Sequence, residues 1–234
     1  MTHLVLPQPR RRAPIPAWLR ILLVPFVAAL TVLGVWVFGG VVTNGFKLSM
    51  ALTTLWFAVA GTAALALSWW RRQLVLPVFA TFVVTAGVVG GYLGYTTLVG
   101  KTVNEQVAVA QPASRVAPGS GVNAQLSHGS FSGIAHGTSG QAAVVRLASS
   151  RQRVLQLLDL ETSAGPDLRV YLVAGPVDGD SDPGSYEDIG AVEGNRGTQQ
   201  YEIPGAVDTE RYSTVLIWCR AFSVPFGAAT LNPS

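Results

Sequence analysis

Tyr212-Ser-Thr-Val-Leu-Ile-Trp-Cys-Arg-Ala-Phe-Ser-Val-Pro-Phe-Gly227 is an apolar run broken by one charge, Arg220. Its β-branched and aromatic residues mark strands, the first over Ser213 to Arg220 and the second over Ser223 to Leu231. In the first of these, Val215, Ile217 and Cys219 face one way, while Leu216, Trp218 and Arg220 face the other. Cys219, the only cysteine of the chain, therefore shares an apolar face, and its neighbour Arg220 points away from it.

Working back from this run, similar short stretches alternate with Gly, Pro and Asp clusters: Gln141 to Leu147, Arg153 to Leu160, Leu168 to Val173 and Gln200 to Ile203. Gly165-Pro166-Asp167 and Asp182-Pro183-Gly184 supply turn chemistry between them. Helix signals are absent. Residues 126–234 thus read as one all-β domain, an antiparallel sandwich or barrel with a single small core.

The first hundred residues belong to a different solvent. They hold seven Lys or Arg and no acid, whereas the remainder holds nine bases against 13 acids. Three long apolar stretches, about 17–39, 48–70 and 74–98, each have the ~20 residues a helix needs to cross a bilayer. Arg20 sits at the very start of the first, where its stem can snorkel. Arg10, Arg11, Arg12 and Arg20 precede the first span and Arg71-Arg72 fill the turn between the second and third, against Lys47 alone in the other loop. The positive-inside rule then predicts a multi-pass plasma-membrane protein with its 1–16 tail cytoplasmic and its β domain extracytoplasmic. Trp18, Trp69 and Trp70 are expected at the inner interface, and Trp36, Tyr92 and Tyr95 at the outer one. The first stretch is too long for a signal peptide and lacks a small-x-small cleavage site. Gly87, Gly90, Gly91 and Gly94 form small-x-x-x-small pairs, which predicts close packing on another helix, within the chain or in a helix-mediated oligomer. No ionisable group lies inside the spans, which argues against a channel, pump or carrier. Residues 100–125, rich in Ala, Val, Gln, Pro, Ser and Gly, read as a linker long enough to hold the domain off the bilayer.

An unpaired thiol in an oxidising compartment needs burial or a job. An apolar surround keeps it protonated, so a small buried hydrophobe and a redox or ligand group both remain open. His128 and His136, the only histidines of the domain, form with Cys219 a candidate haem or copper set, although no Cys-x-x-Cys-His is present. Asp178-Gly-Asp180-Ser-Asp182 carries the alternate oxygens of a calcium loop, but it lacks glycine at the sixth position and glutamate at the twelfth, and reads as a solvated acidic turn. No metal site is expected. There is no Gly-x-Ser-x-Gly elbow for a hydrolase, and the acidic domain offers no footprint for nucleic acid.

Ser130-Phe-Ser-Gly-Ile-Ala-His136-Gly-Thr-Ser-Gly140, Leu157 through Leu172, Asp188-Ile-Gly190 with Gly194-Asn-Arg-Gly197, and Val215 through Gly227 together resemble the DM-thirteen, or electron-transfer DM, domain. The resemblance covers about residues 126–232 and leaves the three spans outside. It implies a β-rich extracytoplasmic module with an electron-transfer or thiol redox role. Cys219 matches the characteristic cysteine of that family, as a bare thiol or as the attachment point of a cofactor such as haem, and His136 and Asp167 match other family positions. The implied role is that of a redox accessory rather than a stand-alone enzyme. The partners expected are the lipid bilayer and either a membrane redox protein or a cell-envelope component. The rival expectation is a non-catalytic, membrane-tethered interaction module in which Cys219 is core.

Overall fold

The computed structural model describes residues 14–42, 46–177, 179 and 182–234. Arg10 to Arg12 and most of the acidic loop around Asp178 and Asp180 lie outside the described residues, as does the side chain of Lys47. Three helical spans are long and apolar enough to cross a membrane, Ala17–Val41, Leu48–Trp70 and Arg72–Leu98. Their α-helical parts are α1 (Ala17–Trp36), α2 (Phe46–Trp70) and α3 (Thr81–Leu98). α1 runs on into a π-helical turn at Val37–Val41, and α3 is preceded by another at Val75–Ala80, around Pro77. Proline has no N–H to give, and a widened turn absorbs the missing bond. The helices meet around Ala64, Val78 and Phe82 and otherwise leave their apolar side chains exposed, as lipid-facing helices do. Trp18, Trp69 and Trp70 at one end, and Trp36, Tyr92 and Tyr95 at the other, are all exposed. Gly87, Gly90 and Gly91 face outward too, and neither they nor Gly94 meet another helix of the chain.

The rest is β-structure: β1 (Thr102–Asn104), β2 (Gln111–Pro112), β3 (Ala124–Ser130), β4 (Ser132–Gly133), β5 (Thr138–Arg146), β6 (Arg153–Thr162), β7 (Leu168–Val173), β8 (Tyr186–Ala191), β9 (Arg196–Ile203), β10 (Thr214–Cys219), β11 (Val224–Thr230) and β12 (Asn232–Pro233). One sheet runs β1-β9-β6-β5-β3-β12 with β2 beside β3, and the other runs β4-β11-β10-β7-β8. All pairings are antiparallel except β1 with β9 and β2 with β3. The sheets do not close on each other, so the fold is a sandwich and not a barrel. Val144, Leu155 and Leu157 of the first sheet meet Leu172, Ile217 and Phe226 of the second in one sealed core. The expected alternation in β10 holds. Val215, Ile217 and Cys219 enter that core, while Leu216 and Trp218 join Tyr171 and Val173 on the outer face of their sheet.

Residues 100–125 run along the sandwich. Asn195 Oδ1 accepts a hydrogen bond from the Lys101 backbone N–H (2.7 Å) while its Nδ2 donates to the Thr162 carbonyl (2.7 Å). β1 then pairs with β9 where Gly197, at φ +100°, leaves no room for a Cβ against the Val103 carbonyl. The buried Gln199 holds the adjoining loop, taking the N–H groups of Glu193 and Gly194 and the Tyr201 hydroxyl on its Oε1. Polar groups satisfied in this way are stable in a dry interior. They fasten the C-terminal end of α3 directly to the β domain.

Candidate functional site

Cys219 is the last residue of β10, opposite Leu168 of β7 and Val224 of β11. The turn that follows, residues 220–223, faces the helices. Phe222, only 7% exposed, lies against Gly39, where a side-chain carbon would stand 3.7 Å from its ring. Ser223 donates from Oγ to the Gly40 carbonyl (3.2 Å) and holds φ at +50°. A left-handed residue with a Cβ costs about 1–2 kcal/mol, which the docked turn must offset. Leu93 of α3 packs against the same core. The thiol thus sits at the end of the sandwich that meets the helical segment.

Burial dominates its chemistry. The side chain is 0% exposed, and the loss of solvent pushes the thiol up to about 11. The backbone N–H groups of Phe222, Asp167 and Ala221 act on the sulfur in the opposite direction without cancelling the effect. At neutral pH the group is a thiol, not a thiolate, and is a poor nucleophile. Arg220 does turn away, as the alternation predicts: it is 57% exposed and donates from Nε to Asp167 Oδ2 (2.7 Å). Asp167 also accepts the Arg220 backbone N–H on its main-chain oxygen (2.9 Å), so the Gly165-Pro166-Asp167 turn is tied to the strand end that carries Cys219.

The two histidines are placed elsewhere. His136 lies in the loop after β4, its ring 4.0 Å from that of Phe226, and burial lowers its pKa. His128 is exposed on β3, in the other sheet, with Nδ1 2.9 Å from Ser234 Oγ. Among the described residues no three His, Cys, Asp or Glu side chains are grouped to hold a metal. A haem needs an axial ligand with open space in front of it. Cys219 is instead enclosed by core residues including Leu168, Phe222 and Val224, so the thiol as it stands does not fit a haem iron.

Two features beside Cys219 were not legible as site residues. A cleft of about 440 Å³ separates the C-terminal end of α3 and the residues after it, Tyr95 to Lys101, from the loops 164–168 and 191–195. On the outer face of the second sheet, Tyr171 stacks on Tyr186 (centroids 4.2 Å, interplanar angle 14°) and stands 6.4 Å from Trp218. The alternation puts Trp218 on this face, but which tyrosines meet it depends on cross-strand register, which strand patterns do not encode.

No curated protein and no solved structure matches the chain. A family model described as electron transfer DM13 matches residues 130–231, the stretch from the end of β3 through β11 that includes His136, Asp167 and Cys219. The match is thus confined to the sandwich, which is similar to the electron transfer DM13 domain, and three membrane-spanning-type helices lie outside it.

Proposed function

We propose that the chain anchors its DM13 domain on the extracytoplasmic face of the plasma membrane, and that Cys219 is the redox group of an electron-transfer accessory. The observation that carries this reading is the position of the sole cysteine. It lies inside the matched region, at the end of the sandwich turned toward the helices, sheltered from solvent. A neutral, enclosed thiol is poorly suited to open thiolate exchange, so a redox step at Cys219 has to release its proton along with the electron. The orientation rests on Arg20 and the Arg71-Arg72 turn at the end of the bundle away from the domain.

The test compares the full chain with Cys219→Ser in lipid nanodiscs by visible absorption and by redox titration. A midpoint that disappears with the thiol is the expected result; a chain that is redox-silent and unaltered by the substitution sinks the reading. A Soret band in the membrane-extracted protein would show that the core opens around a haem. The sealed core also favours a second reading, a membrane-tethered module that binds an envelope component with Cys219 as packing. It predicts a thiol that a small maleimide labels only after unfolding and that carries no redox signal.

A further inference from the structure

Three aromatic rings cross the outer face of the second sheet on successive strands. Tyr186 of β8 pairs with Val173, and Tyr171 lies one diagonal step away on β7. Tyr171 in turn pairs with Leu216, and Trp218 of β10 lies one further diagonal step away. The steps run toward the end of the sheet that carries Cys219, joined to Trp218 by a peptide bond. Only the first ring is open to solvent: Tyr186 is 42% exposed, whereas Tyr171 (2%), Trp218 (7%) and Cys219 (0%) are buried.

Packing explains why aromatic residues pair on a sheet. It does not require a solvent-to-thiol order among tyrosine, tryptophan and cysteine, the side chains that most readily surrender a single electron. Resting on the redox reading of Cys219, we propose that Tyr186, Tyr171 and Trp218 are the electron path between that thiol and a soluble one-electron oxidant that meets the exposed ring of Tyr186. The oxidant gains one electron and is reduced; Tyr186, Tyr171 and Trp218 are oxidised and refilled in turn. Cys219 ends as the oxidised group, its S–H bond broken to give a thiyl radical, one electron and one proton. The proton passes to water past Asp167, which adjoins Cys219 at this end of the sheet and is partly open to solvent.

The full chain in lipid nanodiscs is oxidised with photogenerated ruthenium(III) tris(bipyridine), and the oxidised residues are located by peptide mass after the chain is unfolded and digested. The expected site of oxidation in the wild type is Cys219. Tyr186→Phe and Trp218→Phe each lose most of it while keeping a ring in place, Tyr201→Phe in the other sheet keeps it, and Cys219→Ser moves it onto the aromatic residues. Tyr186 is partly exposed, so its variant folds and decides the matter even if Trp218→Phe does not. Undiminished oxidation of Cys219 in Tyr186→Phe overturns the path and leaves the redox reading standing. Wild-type oxidation that collects on the aromatic residues and never reaches Cys219 overturns both.

Discussion

In the three helical spans, Phe26, Leu76, Val84 and Leu98 point away from the bundle and stay exposed, whereas in the sandwich Leu155, Leu172, Ile217 and Phe226 are sealed between two sheets. The same kinds of side chain serve opposite solvents. Helices satisfy their own backbone and leave their burial to lipid, so few contacts hold them together. The sheets supply both hydrogen bonds and burial internally. The two regimes meet at the 220–223 turn, which seats an aromatic ring of the β domain on a glycine of the helical segment.

That contrast can be broken by truncating one side chain in each region. Leu157→Ala, in the sealed core, is expected to destabilise the domain by about 4 kcal/mol, because a cavity is left behind. Leu76→Ala on the outer surface of the helices leaves no cavity and should barely move the melting of the chain in nanodiscs. Equal losses at the two sites would end the comparison. At the junction, Phe222→Ala removes a ring buried between the regions and should cost about 3 kcal/mol. It should also make native Cys219 open to maleimide, and an unchanged labelling rate would show that the turn does not guard the thiol.

Alkaline pH sharpens the contrast further, since only the sandwich carries a buried thiol. Its folded value, about 11, lies above the ordinary 9.0, so the protonated thiol favours the fold at neutral pH. That contribution is complete below pH 9 and is lost as pH rises toward 11, about 2–3 kcal/mol in all. Tyr171 and Tyr201, both pushed up to about 12 chiefly by burial, steepen the same limb at higher pH. Melting curves of wild type and Cys219→Ser should converge between pH 9 and 11; parallel curves would mean that the thiol is solvated. The smallest effect is expected at Asp167→Asn, which weakens a half-exposed ion pair worth below about 1 kcal/mol. Added salt should shrink the difference.

The strands that face the core announced themselves through runs such as Arg153 to Leu160 and Ser213 to Arg220, where nearly every inward position is apolar. β3 and β8 gave no such sign. Ser127, His128 and Ser130 in β3, and Glu187 and Asp188 in β8, leave too little alternation, because these strands lie near sheet margins where one face meets water. The strand nature of Thr102–Asn104 was hidden for another reason: it depends on Gly197 and Asn195, almost a hundred residues away. At the site, the inward turn of Cys219 followed from alternation alone. The seat of Phe222 on Gly39 and the Tyr186–Tyr171–Trp218 stack depend on contacts between distant segments, and local pattern carries no record of those.

The clamp of Asn195 on Lys101 leaves almost no free chain between the last helix and the first strand. A domain on a long leash sweeps a volume and can capture partners approaching from any height. One bolted to its anchor moves only as the anchor moves, by drifting and spinning in the plane of the lipid. Its encounters become a search in two dimensions, at a fixed height above the bilayer, which favours partners that carry their own docking face to that height.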